Sequence, residues 1–135
     1  MESKFVDSNV FIYVLMDDPA HGAKSVNILA GFEKGKETGW TSTLALSQVF
    51  SHLKKRKHYE AIDKFYDYIE ESPIGVTQTT REDFERARKI KGESDLAWSM
   101  WDDLVLASQM ERLKLTEIYS NDADFDKLQN LKRIF

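Results

Sequence analysis

Carboxylates recur along this chain at positions where strands are expected to end and helices to begin. They are Asp7, Asp102, Asp103, Asp122 and Asp124. In an open parallel sheet the carboxyl ends of the strands meet at one edge, where functional groups gather. Converging carboxylates repel one another, since one pair at about 4 Å costs about 4 kcal/mol at an effective dielectric of about 20. A divalent cation removes that repulsion, so the pattern predicts a metal site and phosphate chemistry.

Each of these carboxylates also has a purely structural interpretation. Asp7 and Asp124 are suited to cap helices, Asp122 to stabilise a turn, and Asp102 to close a capping box opened by Ser99. For any one residue the structural interpretation is favoured over a chemical one. Their common position at strand ends favours the metal site when the residues are considered together.

The elements that position these residues follow from apolar periodicity. Short strands are predicted over 4–6, 39–42, 74–78, 117–119 and 132–135, with helices between them. Strands that alternate with helices predict an α/β fold in which helices cover both faces of a parallel sheet.

Several details of the helices can also be predicted. Residues 10–16 are apolar on all sides and indicate a buried helix, and Pro19 is expected at the first position of the next one. The inner face of that second helix is expected to contain Ala23, Val26 and Ala30, which share a helical stripe.

Further along the chain, caps and stripes mark the remaining helices. Ser42 or Thr43 is expected to cap a helix whose apolar stripe contains Leu46, Val49, Phe50 and Leu53. A capping box is predicted at 80–83, in addition to the one at 99–102. An aromatic helix over 59–69 is either core or an interface with a second copy or a partner helix, and both uses remain open.

Composition limits the class of protein. A chain of 135 residues that is 41% hydrophobic and 12% aromatic predicts one globular domain over 1–135. Its net charge of −4 gives no global attraction to nucleic acid, so RNA contact requires a local patch. The absence of cysteine excludes disulfides and thiolate catalysis. The longest apolar run is much shorter than a membrane span, and we expect a soluble cytoplasmic protein without membrane contact.

One positive run could form the local patch. It consists of Lys54, Lys55, Arg56 and Lys57, at the end of a predicted helix. Positive charge there stabilises the C-terminal end of the helix dipole. The same run is suited to bind an RNA backbone beside the acidic edge. Both interpretations remain open.

Three segments resemble motifs of the PIN-domain ribonucleases, which include the VapC toxins of toxin–antitoxin pairs. Residues 5–9 (FVDSN) resemble the opening motif, 101–107 (WDDLVLA) the third, and 120–125 (SNDADF) the last. The resemblance implies a Rossmann-like PIN fold with a central parallel sheet of four to five short strands flanked by helices. It also implies a Mg²⁺ or Mn²⁺ site, hydrolysis of RNA, frequent homodimers and, for a toxin, an antitoxin partner.

The resemblance also implies roles for individual residues. Asp7, Asp102 and Asp122 would bind the metal or activate water, and Asp124 would be a further acidic ligand. Residues expected to hold or neighbour these carboxylates are Asn9, Ser42, Gln48, Asp103 and Ser120.

The chain departs from the resembled family at Gln48, where the family has a glutamate. An amide oxygen can coordinate a hard cation, but it carries no charge and cannot act as a base. Asp103 points about 100° around the helix from Asp102; it is expected to be solvated, although it could compensate for Gln48. The alternative function is therefore a PIN-fold protein that binds RNA or a partner without cleaving. A phosphate hydrolase acting on small molecules is a third possibility.

Overall fold

Five short strands form one parallel sheet at the centre of the molecule. The structure is a computed structural model that describes residues 3–135. The strands are β1 (Ser3–Val6), β2 (Thr38–Ser42), β3 (Gly75–Thr77), β4 (Glu117–Tyr119) and β5 (Lys132–Ile134). Their order in the sheet is β3-β2-β1-β4-β5, and all four pairings are parallel. The predicted α/β fold with a parallel sheet is confirmed.

Six helices connect the strands and cover both faces of the sheet. They are α1 (Ser8–Leu15), α2 (Gly22–Glu33), α3 (Thr43–Lys55), α4 (Tyr59–Glu71), α5 (Arg81–Ser94) and α6 (Trp101–Arg112), with 3₁₀ turns at Trp98–Met100 and Ala123–Lys127. Side chains of a strand alternate between faces. Phe5 accordingly packs in a cluster with α5 and α6, whereas Val6 packs in a second cluster with helices α1 to α4. Within the part of the chain that is described, no helix is both long and apolar enough to cross a bilayer.

The order of the strands creates a crevice beside β1. From β1 the chain first builds outward through β2 and β3, and it later returns to the other side of β1 with β4 and β5. The connections that leave β1 and β4 therefore diverge at the carboxyl ends of these two strands, which is where ligands bind in open α/β sheets. Asp7 follows β1 directly, and Ser120 follows β4.

The start and the inner face of α2 differ from the prediction. Pro19 lies in a turn, in which the Asp18 carboxylate accepts hydrogen bonds from the backbone N–H groups of Ala20 and His21. The helix begins at Gly22, after this turn, and Val26 on its outer side is 50% exposed. The buried residues are Gly22, Ser25, Leu29 and Phe32, and Ala23 is exposed. Larger side chains set the rotation of the helix, since they bury more apolar area than alanines do.

Of the caps predicted for α3, α5 and α6, two are present and one is absent. The Thr80–Asp83 capping box has both hydrogen bonds, at 3.2 and 3.0 Å, and Ser42 Oγ accepts from the Ala45 N–H at 3.3 Å. The predicted box at Ser99 is wrong, because Ser99 lies within a 3₁₀ turn that continues into α6. Met100, which precedes α6, is 2% exposed. Burial of this side chain, rather than a polar cap, accompanies the start of the helix.

The aromatic helix α4 is partly core. Phe65 and Ile69 are buried, whereas Tyr59 and Tyr66 are more than half exposed. The stripe of α3 is also confirmed in its centre, since Val49 and Leu53 are fully buried.

Candidate active site

Asp7 is a buried carboxylate at the C-terminal end of β1. Asp7 caps α1, because its Oδ1 accepts a hydrogen bond from the Ser8 N–H at 2.7 Å. The residue as a whole is 5% exposed. Burial raises the pKa of this carboxyl, and the nearby Asp122 carboxylate raises it further, while hydrogen bonds from Ser120 and Ser8 oppose the shift. A carboxylate in this position is costly unless something positive or strongly hydrogen-bonding faces it.

Polar side chains from two connections hold Asp7 in place. Ser120 Oγ donates to Asp7 Oδ2 at 2.7 Å, and Asn9 Nδ2 approaches the same oxygen at 3.4 Å. Asn9 Nδ2 also lies 3.2 Å from Ser120 Oγ. Asn9 and Ser120, which the sequence singled out as neighbours of the carboxylates, therefore join the first turn of α1 to the segment after β4. Sequence reasoning missed Asn121, whose N–H donates to Asn9 Oδ1 at 3.4 Å.

Asp122 and Asp124 are arranged by the turn that follows β4. Asp122 Oδ1 accepts from the Asp124 N–H at 2.9 Å and caps the 3₁₀ turn, a position that the sequence assigned to Asp124. The Asp122 N–H in turn donates to Ser120 Oγ at 3.0 Å. Asp124 Oδ1 forms an ion pair with Lys127 Nζ at 3.0 Å. Asp122 is thus connected to Asp7 through one serine.

Asp103, rather than Asp102, joins these carboxylates from α6. Carboxylate oxygens of Asp103, Asp122 and Asp124 lie within 4.8 Å of one another. Asp103 is half-buried and Asp102 is exposed. We expected Asp102 to lie among these carboxylates and Asp103 to be solvated. This expectation is wrong, because Asp103 lies beside Asp122 and Asp124 while Asp102 is exposed. We call Asp7, Asp103, Asp122 and Asp124 the acidic cluster.

The electrostatics of Asp103 show how crowded this cluster is. Burial raises the pKa of its carboxyl to about 8, with further contributions from Asp122, Asp7 and Asp124 in that order. The charged groups that contribute most to this shift are themselves carboxylates. Without a cation, one member of the cluster therefore retains a proton near neutral pH.

The donor set of the acidic cluster fits a hard divalent cation. Mg²⁺ takes oxygen ligands at about 2.1 Å, so two of its ligands lie at most about 4.2 Å apart. The oxygens of Asp103, Asp122 and Asp124 lie within 4.8 Å of one another, which is compatible with this separation. Carboxylates whose charges oppose one another also gain most from a cation between them.

Gln48 on α3 contacts Asp102 on α6. Its Nε2 donates to Asp102 Oδ2 at 2.9 Å. Ser42, by contrast, caps α3 from a fully buried position. Gln48 and Asp102 both line an open groove of about 680 Å³.

The positive run lies in the same groove. Lys54, Lys55 and Arg56, from the end of α3, line it together with Gln48 and Asp102, and Lys57 follows with a left-handed φ of 59°. We call this the basic groove. Asp102 joins it to the acidic cluster, because Asp102 and Asp103 are adjacent in the chain.

A family model identifies the chain. The model for the PIN domain matches residues 4–131. The chain belongs to the PIN domain family. This is a family of nucleases, and the five-stranded parallel sheet flanked by helices is consistent with its fold. No curated protein matches the sequence.

Solved structures share the fold of this PIN domain. Mycobacterium tuberculosis VapC20, a toxin that cleaves the sarcin-ricin loop, is 18% identical, and the match covers 90% of this chain and 92% of that one with a TM-score of 0.76. VapBC2 from Rickettsia felis, bound to a DNA fragment from its promoter, is 15% identical over 98% and 97% of the chains, with a TM-score of 0.71. A toxin–antitoxin complex from Klebsiella pneumoniae is 14% identical over 96% and 95%, with a TM-score of 0.68. At these identities the likeness concerns the fold.

Proposed function

We propose that this PIN domain is a metal-dependent endoribonuclease that hydrolyses RNA phosphodiester bonds, and the toxin of a toxin–antitoxin pair. The observation that supports this most is the convergence of the Asp103, Asp122 and Asp124 oxygens within 4.8 Å. They lie at the edge of the sheet where β1 and β4 end, beside the buried Asp7. A cation site and an adjoining basic groove are what cleavage of a polyanion requires.

In this proposal the residues of the acidic cluster have different tasks. Asp103, Asp122 and Asp124 would hold Mg²⁺ or Mn²⁺, and Asp7, fixed by Ser120, would add negative charge behind them. When bound, such a cation polarises the phosphate, lowers the pKa of a water and stabilises charge on the leaving oxygen. Asp103 takes the part that the resemblance gave to Asp102.

The basic groove would guide the RNA toward the acidic cluster. Lys54, Lys55 and Arg56 are exposed and line it. A chain with a net charge of −4 repels a polyanion overall, so local positive charge has to supply the attraction. Binding through such contacts weakens steeply as salt increases.

Cleavage of RNA by the purified chain tests the proposal. We expect cleavage with Mn²⁺ or Mg²⁺, and loss of cleavage by at least about a hundredfold in Asp7→Asn and in Asp103→Asn. Asp67→Asn, on the exposed side of α4, is the matched control and should retain activity. Equal cleavage in excess chelator would contradict the metal-dependent mechanism. Activity on free nucleotides but not on RNA would favour a small-molecule phosphate hydrolase.

Gln48 supports a second candidate function, a PIN-fold protein that binds RNA or a partner without cleaving it. Its amide is neutral and is engaged with Asp102. The variant Gln48→Glu separates the two functions. A large gain from no activity would support the binding protein, whereas little change in an already active enzyme would refute it.

An apolar groove between α1, α2 and α4 is where we propose that the antitoxin binds. This groove of about 250 Å³ is lined by Phe11, Val14, Leu15, Val26, Leu29, Ala30, Glu33, Lys64, Phe65 and Tyr68. Val26 is half exposed there, although it is apolar. Two of the similar structures are complexes of this kind, VapBC2 and the Klebsiella toxin–antitoxin pair. We propose that an apolar segment of an antitoxin occupies it.

Co-purification tests the antitoxin proposal. The chain would be expressed together with the product of the adjacent small reading frame. Val26→Glu should abolish the complex, while Phe84→Glu, an exposed apolar residue outside the groove, should not. If the two variants captured the antitoxin equally well, the proposal that the antitoxin binds this groove would be wrong. The homodimer implied by the family stays a prediction, which light scattering on the purified chain would test.

A further inference from the structure

The Gln48–Asp102 pair has properties that the proposed cation site does not use. We infer that this pair selects RNA over DNA by accepting a hydrogen bond from a neutral donor of a ribonucleotide next to the scissile phosphate. The inference rests on the proposed function, since it needs a nucleic acid in the basic groove. It adds a specificity-determining residue, Asp102, and a positioning residue, Gln48.

The hydrogen bond between Gln48 and Asp102 determines which of their donor and acceptor atoms remain available to a ligand. Gln48 Nε2 donates to Asp102 Oδ2 at 2.9 Å. With the amide nitrogen engaged, Gln48 Oε1 and Asp102 Oδ1 have no hydrogen-bond partner among residues 3–135. Both of these atoms are acceptors. The pair therefore presents these two acceptors to the groove, beside the second N–H of the Gln48 amide, and the acceptors can each bind a donor.

The position of the pair determines which part of the substrate it meets. Asp102 precedes Asp103, so their Cα atoms are about 3.8 Å apart. The two side chains diverge by about 100° around α6. Asp103 enters the acidic cluster and Asp102 enters the basic groove. A nucleotide whose phosphate reaches the cluster therefore has its neighbouring sugar or base within reach of Asp102.

The charge of Asp102 excludes a simple role in attracting the backbone. A carboxylate beside phosphates is repulsive, and it opposes Lys54, Lys55 and Arg56 in the same groove. Such a group favours binding only if it accepts a hydrogen bond from a neutral donor, and bonds to charged acceptors are about twice as strong as neutral ones. Nucleotides offer the ribose 2′-hydroxyl and the exocyclic amines of bases. The 2′-hydroxyl distinguishes RNA from DNA, and we assign it to this pair.

Binding of matched oligonucleotides tests the inference without cleavage. Fluorescence anisotropy in chelator would compare a single-stranded RNA with the DNA of the same sequence, using uracil in both. The whole chain should bind the RNA about tenfold more tightly. Asp102→Ala should reduce this ratio to near one. Because the variant also removes a repulsive charge, its affinity for both polymers should rise, so the ratio is the decisive quantity.

Two further variants separate recognition from charge. Asp67→Ala removes a carboxylate from an exposed position outside the groove and should retain the tenfold ratio. Gln48→Ala leaves Asp102 charged but unheld, and its ratio should fall part of the way. A ratio in Asp102→Ala equal to that of the unmodified chain would overturn the inference, and so would the absence of any RNA preference in the unmodified chain.

Substituted RNAs distinguish the two possible donors. RNAs with one 2′-deoxy position each should show a single position whose penalty disappears in Asp102→Ala. RNAs with purine in place of adenine lack one exocyclic amine and should bind as the parent does. If the amine rather than the hydroxyl shows the penalty, the assignment to the 2′-hydroxyl is wrong. Cleavage with Mn²⁺ is measured separately, so a chain that selects RNA but never cleaves it contradicts the proposed nuclease and leaves this selectivity standing.

Discussion

Two regions of this molecule bury carboxylates, and they treat the charge in opposite ways. In the first, Asp83 of α5 accepts from Arg112 Nε and a terminal guanidinium nitrogen at 3.0 and 2.9 Å, which holds α5 against α6. Arg112 and the other hydrogen bonds to Asp83 outweigh the opposing effect of burial and lower the pKa of that carboxyl. In the second, the acidic cluster, burial and neighbouring carboxylates raise the pKa of Asp103 to about 8.

The difference indicates which region is built for structure and which for binding a cation. The Asp83 region contains its own counter-ion, and Gln109 and the Thr80 N–H supply further hydrogen bonds to the carboxylate. At the acidic cluster the charged groups that contribute most to the shift of Asp103 are carboxylates, and the ion pair between Asp124 and Lys127 is exposed on both sides. A fold rarely retains such mutual repulsion without a ligand that relieves it. The predictions below would separate these two regions experimentally.

The largest effect is expected from removing the counter-ion of Asp83. Arg112→Leu leaves a buried carboxylate unpaired and should lower the free energy of unfolding by about 3 kcal/mol, at the low end for buried pairs because Arg112 is 39% exposed. Chemical denaturation would measure it. Arg86→Leu is the matched control; its ion pair with Glu111 is exposed on both sides and should contribute at most about 1 kcal/mol. Equal losses would show that the Asp83 pair has no special role.

A smaller effect is expected from Ser120→Ala within the acidic cluster. The variant removes the donor to Asp7 Oδ2 and the acceptor of the Asp122 N–H. Loss of a hydrogen bond to a charged group should cost about 2 kcal/mol. Ser108→Ala is the control, because Ser108 is equally buried but donates to neutral backbone carbonyls, and its cost should be about 1 kcal/mol. A smaller loss for Ser120→Ala than for Ser108→Ala would contradict the expectation that Ser120 donates to an ionised Asp7.

The smallest expected change in stability concerns Asp103. It is the most specific prediction, because removing this carboxylate should stabilise the fold, whereas the two variants above destabilise it. The carboxyl of Asp103 has a pKa of about 8 when folded and of 3.8 in its ordinary state. Between these values the folded chain binds more protons than the unfolded chain, so its stability in chelator should fall as pH rises from about 4 to about 8. Asp83 acts in the other direction, because its lowered pKa gives stability that is lost in acid.

Asp103→Asn should therefore stabilise the metal-free protein at pH 8, raising Tm by about 3 °C, as expected for about 1 kcal/mol in a chain of this size. This is well below the roughly 6 kcal/mol that the full pKa difference would give, because solvent screens the charge of a half-buried carboxyl. The gain should be small at pH 4, where the carboxyl is protonated in the folded chain and about half protonated in the unfolded chain. Asp67→Asn should show no such pH-dependent gain. If Asp103→Asn lowered Tm at pH 8 in chelator, the carboxylate would not be under repulsion.

The sequence predicts those features of this structure that depend on neighbouring residues, and it does not predict those that depend on contacts between distant segments. The strands, the Thr80 capping box and the positions of Asp7, Ser120 and Asp122 could be predicted, because strand ends and turn residues are local signals. The start of α2 could not, since a turn closed by Asp18 moved the helix from Pro19 to Gly22.

The choice between Asp102 and Asp103 could not be predicted for a different reason. All residues from Leu104 to Met110 are buried, so α6 has no polar face that would reveal its rotation. Periodicity identifies an inner face only where an outer face exists. The contact between Gln48 and Asp102 joins residues 54 positions apart, and no local pattern indicates it. The packing of α6 against α5 and α3 decides which carboxylate enters the cluster.

Isothermal titration of Mn²⁺ into the metal-free chain and its variants tests the central claim most directly. Binding of one or more ions should be detected in the unmodified chain, should be lost or weakened at least about tenfold in Asp103→Asn, and should remain within about threefold in Asp102→Asn. Loss of binding in Asp102→Asn with retention in Asp103→Asn would contradict the account, as would the absence of any divalent-ion binding by the unmodified chain.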